Sequence, residues 1–108
     1  MTNSQRRVLN MSDFFLSDLA ENKPVKLEKN GQSICVTRVG NEVFAVSDIC
    51  SHSDASLSEG ESSNMKIECW LHGAEFDLRT GEALTLPAVT KLDTYPVLID
   101  GDSVTIEI

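Results

Sequence analysis

Two short pairs, Cys50-x-His52 and Cys69-x-x-His72, carry most of the chemistry this chain can offer. They are separated by sixteen residues and hold both histidines of the protein and two of its three cysteines. Two thiolates and two imidazoles presented this way can bind one tetrahedral zinc ion. They can equally hold a 2Fe-2S cluster with one iron on the cysteines and the other on the histidines. Zinc modules with two Cys and two His usually place a Cys pair before a His pair, whereas each pair here is mixed. The mixed order suits two loops that each give a thiolate to one iron and an imidazole to the other. A zinc site stays open on spacing alone. So does the reading as core cysteines and surface histidines, which a chain with only two histidines makes a poor fit.

The residues around the pairs extend the pattern. The stretch 50–60, Cys-Ser-His-Ser-Asp-Ala-Ser-Leu-Ser-Glu-Gly, resembles the first cluster loop of the Rieske-type 2Fe-2S ferredoxins that serve bacterial ring-hydroxylating dioxygenases. The stretch 68–81, Glu-Cys-Trp-Leu-His-Gly-Ala-Glu-Phe-Asp-Leu-Arg-Thr-Gly, resembles the second loop of that family. Leu86-Pro87-Ala88 resembles its proline loop, which covers the remaining side of the cluster, and the likeness runs loosely from about residue 12 to the end. One departure is Trp70, where the family commonly has proline. The resemblance implies one Rieske-type 2Fe-2S cluster held by Cys50, His52, Cys69 and His72, and no catalytic residue.

It also implies a single Rieske domain over 1–108, with an all-β fold: a Rieske-type β-sandwich or small barrel carrying a two-loop cluster-binding subdomain at one end. The strand signals agree with an all-β chain. Alternating or β-rich runs predict strands at 25–29, 32–39, 42–48, 65–69, 75–78, 94–99 and 103–108. Asn30-Gly31, Gly40-Asn41 and Asp100-Gly101 supply the positive backbone dihedrals of tight hairpins. Residues 12–20 read either as a short helical turn capped by Ser12 or as a loop packing Phe14, Phe15 and Leu19 on the core. The Ser-, Glu- and Gly-rich stretch 53–64 reads as the connection between the first ligand loop and the strand leading to Cys69. Gly81 is expected at a tight turn. Gly73 is expected either at a turn or where backbone approaches the cluster closely.

Length and charge bound the rest. A chain of 108 residues holds one modest core and is too short for a flavin or nicotinamide domain beside a cluster domain, so an electron donor must be a separate protein. No apolar run approaches the length of about 18–20 residues that spans a bilayer, and residues 1–10 lack a secretory signal pattern, which predicts a cytoplasmic protein. A net charge of -8 argues against nucleic-acid binding. Between Asp48 and Glu82 eight acidic residues stand against Lys66 and Arg79, either as a solvated face or as a field that steers a basic partner. Cys35 lies on the face of its strand opposite Ile34 and Val36 and is expected to be structural. Trp70, between two ligands, is expected to shield the cluster or to anchor a partner.

The functional expectation is a monomeric shuttle of single electrons from a flavin-dependent ferredoxin reductase to a terminal oxygenase. Alternatives are a carrier for another reductase or cluster-assembly system, and a structural or regulatory metal-binding subunit. High-potential respiratory Rieske proteins carry a serine and a tyrosine just after the second His, and an extra cysteine in each loop. The matching positions here are Ala74 and Phe76, and Ala55 and Leu71. Hydrogen bonds to the cluster's sulfurs raise the potential, so their loss implies a value near the low end of the Rieske range, about -150 mV.

Overall fold

The computed structural model describes residues 12–50, 55–71, 73–85 and 90–108. The expectations that concern His52, His72 and the Leu86-Pro87-Ala88 loop fall outside the described residues. Among those described, ten strands and two 3-10 turns form three antiparallel sheets, and there is no α-helix. No described helix is long and apolar enough to cross a membrane.

The central sheet has the order β2 (Val25–Lys29), β3 (Gln32–Val39), β4 (Glu42–Ser47), β8 (Thr94–Tyr95). A second sheet orders β1 (Phe14–Phe15), β10 (Ser103–Ile106), β9 (Val97–Asp100). The third orders β5 (Glu61–Ser63), β6 (Lys66–Glu68), β7 (Glu75–Asp77). Strand β3 explains how they stack. Its period-2 alternation sends Ile34 and Val36 into one core with Val43, Ala45, Val104 and Ile106. Cys35, on the opposite face, joins a second core with Val46, Leu57, Ile67, Phe76, Leu78 and Leu92. The central sheet is thus covered on both faces, which is why residues 34–37 of β3 form an unbroken buried run.

The hairpins follow turn chemistry. Asn30 and Gly31 both take positive φ, joining Lys29 to its partner Gln32 as the two-residue loop of the primed type requires. Two sequence expectations need correction here. The β9–β10 loop is Gly101-Asp102, one residue later than expected, because Asp100 pairs with Ser103. The run predicted at 94–99 divides at Pro96, with Thr94–Tyr95 pairing on β4 and Val97 onward pairing on β10. A proline has no N–H to give a ladder, so the chain changes sheets there.

Residues 12–20 and 53–64 hold more structure than their sequence suggests. Phe14 and Phe15 pair with β10, and the turn that follows, Leu16–Asp18, begins after Phe15, while the Ser12 hydroxyl meets that of Ser103. Leu19 is buried as expected, but Phe15 is exposed. The second turn, Leu57–Glu59, and strand β5 lie within the expected connection.

Candidate metal centre

Cys50 follows β4, and Cys69 follows β6 directly. Both are buried, at 2% and 0% exposure, and both belong to the same core. No disulfide joins any of the three cysteines. The two loops are closed in the same way: the Cys50 N–H donates to the Ala55 carbonyl at 3.0 Å, and the Cys69 N–H donates to the Ala74 carbonyl at 2.7 Å. Each bond spans five residues and encloses one histidine position in the sequence, so the two loops are closed alike although their Cys-to-His spacings differ.

The loops rest on different supports. Asp48, fully buried, holds the first. Its Oδ1 accepts from the Ser58 N–H at 2.7 Å, its Oδ2 accepts from the Ser56 hydroxyl, and its own carbonyl accepts from Leu57 N–H at 2.6 Å. A buried carboxylate is tolerated only when its oxygens are satisfied, and here the donors come from the segment that returns from the loop. The second loop is a hairpin between β6 and β7, with Gly73 N–H donating to the Cys69 carbonyl at 2.8 Å. Gly73 takes φ +76, which suits it to the turn, and among the described residues a Cβ there would meet the Glu68 Oε2 at 3.4 Å.

Close backbone approach occurs at Gly60, which sequence reasoning passed over. A Cβ on Gly60 would stand 1.8 Å from the Glu68 carbonyl oxygen, one residue before Cys69. Only the absence of a side chain lets the end of the first-loop segment lie against the strand that leads to the second thiol. Gly81 combines both demands, with φ +79 and a Cβ position 2.3 Å from the Leu92 carbonyl oxygen. Leu92 N–H donates to the Gly81 carbonyl at 2.7 Å, which holds these two residues together.

Asp48 was also misplaced by sequence reasoning, which counted it in the acidic surface. It is interior, and its work is done on the first loop. The signal available was an acidic residue at a strand end followed by Ser56 and Ser58, which a turn-chemistry reading could have joined. Cys35 is structural in the manner expected: burial pushes its thiol up to about 12, which keeps it protonated. Ala74 and Phe76 are fully buried beside Cys69 in the same core, and neither brings a hydroxyl.

Two buried cysteines, on two loops closed by the same backbone bond, thus lie in one apolar core. Among the described residues no group of three or more His, Cys, Asp and Glu gathers as a metal site, and both histidines lie outside them. The donor chemistry fits a cluster whose sulfur-ligated iron needs low-dielectric, water-poor surroundings.

Comparison with known proteins agrees. The chain is 43% identical over 91 residues to the ferredoxin component of biphenyl 2,3-dioxygenase from Rhodococcus jostii (strain RHA1), covering 84% of this chain and 85% of the relative. The fold superimposes on the ferredoxin of carbazole 1,9a-dioxygenase from Nocardioides aromaticivorans IC177 with a TM-score of 0.84 at 35% identity, covering 86% and 91% of the two chains. It also matches a chain in a complex of reduced oxygenase and oxidized ferredoxin in carbazole 1,9a-dioxygenase, with a TM-score of 0.84 at 30% identity over 88% and 98% of the two chains. Relatives of this kind are named as ferredoxins or ferredoxin components of dioxygenases, and their family carries one Rieske-type 2Fe-2S cluster. Residues 11–96 match the Rieske [2Fe-2S] domain, and the chain belongs to that family.

Proposed function

We propose that this protein is a low-potential Rieske ferredoxin that carries single electrons from a flavin-dependent reductase to the terminal oxygenase of a ring-hydroxylating dioxygenase system. The observation that carries the reading is the pair of buried cysteines on loops closed by the same backbone bond. Cys50 and Cys69 would hold one iron, and His52 and His72 the other. When bound, the cluster supplies a one-electron store. The protein's own contribution is to orient the ligands from two braced loops, to keep water from the thiolates, and to leave the electron an exit at the loops. The resemblance to ferredoxins of biphenyl and carbazole dioxygenases supports an oxygenase as the acceptor. The carrier acts as a monomer, since a shuttle must leave one partner to meet the next.

Ala74 and Phe76 support the low potential, because neither side chain can donate a hydrogen bond to a sulfur. A redox titration of the anaerobically purified protein should give a midpoint of about -150 mV. Its electron paramagnetic resonance spectrum after dithionite reduction should be rhombic, with an average g below the free-electron value. A potential well above zero overturns the low-potential reading. A colourless protein holding one zinc overturns the carrier reading altogether.

A further inference from the structure

Across the third sheet the registers place Glu61 opposite Glu68 and Glu68 opposite Glu75, so three carboxylates stand in one row on its outer face. The inner face of the same strands carries Ser62, Ile67 and Phe76, all buried. Like charges directly opposite one another in a sheet are destabilising, so the row has no folding rationale of its own. Lys66 reaches Glu75 at 3.7 Å, and among the described residues no cation pairs with Glu61 or Glu68. The row lies at the foot of the second ligand loop. The Glu68 carboxylate comes close enough to Gly73 to touch a Cβ built there, and Glu68 and Glu75 are the two stems of the hairpin.

Exposed apolar side chains border this row. Trp70 and Leu71, on the loop itself, are 52% and 44% exposed. Leu84, 45% exposed, continues the row beyond Glu75, to whose carbonyl its N–H donates at 2.8 Å. A large exposed aromatic beside a row of carboxylates, only one of which has a cation partner among the described residues, is the makeup of a docking surface, with the aromatic as anchor and the charges steering the encounter.

We propose that Trp70, Leu71 and Leu84, with the row of Glu61, Glu68 and Glu75, form the docking face for a redox protein whose own centre lies in an apolar recess bordered by lysines and arginines. This inference rests on the electron-carrier reading above. Trp70 enters the partner's recess, and the carboxylates meet its basic rim.

Mitochondrial-type cytochrome c, a basic protein with an exposed haem edge, is the probe. The ferredoxin is reduced with dithionite, freed of excess reductant, and mixed with ferric cytochrome c in a stopped-flow instrument. One electron leaves the ferredoxin and ferric haem becomes ferrous. Ferricyanide, a small anion that needs no docking face, serves as the parallel acceptor. Binding of the oxidised ferredoxin to ferric cytochrome c is followed by NMR line broadening, which needs no turnover. The wild-type rate with cytochrome c should fall steeply with ionic strength. The triple variant Glu61→Gln, Glu68→Gln, Glu75→Gln should lose about tenfold or more at low salt and show a flattened salt dependence. Trp70→Ala should weaken binding by about tenfold or more, while both variants keep the wild-type visible spectrum and do not slow with ferricyanide. Unchanged salt dependence in the triple variant, or unchanged binding in Trp70→Ala, overturns the docking face. A wild-type protein that dithionite cannot reduce overturns the carrier reading instead, and the binding titration still decides the docking face by itself.

Discussion

The buried Asp48 carboxylate accepts the Ser58 backbone N–H at 2.7 Å across the base of the first ligand loop. Ser56 donates to the other oxygen of the same carboxylate, so a single side chain ties both ends of the loop that carries Cys50. Replacing Asp48 by alanine leaves the Ser58 N–H and the Ser56 hydroxyl without their acceptor. Hydrogen bonds to a charged group contribute about 1.5–3 kcal/mol each, and a cost near 3 kcal/mol for the pair is expected. Asp48→Asn, which keeps one acceptor oxygen for Ser58, should lose less than half of that. Urea unfolding of the three proteins, read by circular dichroism beside the rate of loss of visible absorbance, checks the order. Equal stability in wild type and Asp48→Ala would falsify the brace.

Gly60 should be intolerant of any side chain. Because a Cβ there would stand 1.8 Å from the Glu68 carbonyl oxygen, Gly60→Ala must displace the end of β6, and with it Cys69. Overpacking of this kind costs about 1–3 kcal/mol, with the upper end expected where backbone is the neighbour. The iron content of the purified variant should fall further than its melting temperature suggests, since the shift is passed to Cys69. Gly31→Ala is the comparison: its Cβ meets nothing within 4 Å, and its cost is confined to the positive φ of its turn.

Met65 stands in the opposite situation. With Asn64 it forms the two-residue β5–β6 loop, and both take positive φ, 52 and 65. Asparagine tolerates this region, whereas a long unbranched side chain is strained there by about 1–2 kcal/mol. Met65→Gly should therefore stabilise the protein by about 1 kcal/mol, raising its denaturation midpoint in urea without a change in the slope of the transition. A loss of stability on that substitution would show that Met65 packing outweighs its backbone strain.

Cys35 makes stability fall in alkali. Its thiol sits at about 12 in the folded protein against 9.0 for an ordinary thiol, so between those values the folded state keeps a proton that the unfolded state releases. The contribution is fully present below pH 9 and is lost as pH rises towards 12, at about 1.4 kcal/mol per pH unit. Cys35→Ala should be less stable than wild type at pH 8, from the lost packing, and should close the gap as pH is raised. Unfolding curves for the two proteins at pH 8.5 and 10.5 read this difference, and a gap that does not narrow disproves the linkage.

Adding a hydroxyl at position 74 or 76 should raise the potential. Ala74→Ser and Phe76→Tyr place donors where the high-potential relatives have them, and a net hydrogen bond of about 1.4 kcal/mol favouring the reduced form corresponds to about 59 mV for one electron. Redox titration of each variant should show an upward shift of that order. No shift in either would mean that these side chains do not reach a sulfur.

The sequence by itself determined the all-β class, the strands from Val25 to Ser47 and the two loops that begin at Cys50 and Cys69, because period-2 alternation, turn residues and ligand spacing are all local properties. It also placed Cys35 on the strand face opposite Ile34 and Val36. Tertiary structure alone decided which polar residues are interior and which neighbours share a face. Asp48 and Glu68 look alike in sequence, yet Asp48 is buried under the first loop and Glu68 stands in a row of carboxylates, because each meets partners ten or seven positions away. Gly60 carries no local sign of its role, since the contact that requires a glycine is with the carbonyl of a strand still to come in the chain. Pairing between strands is non-local, and that is where the brace, the close approach and the charged face were set.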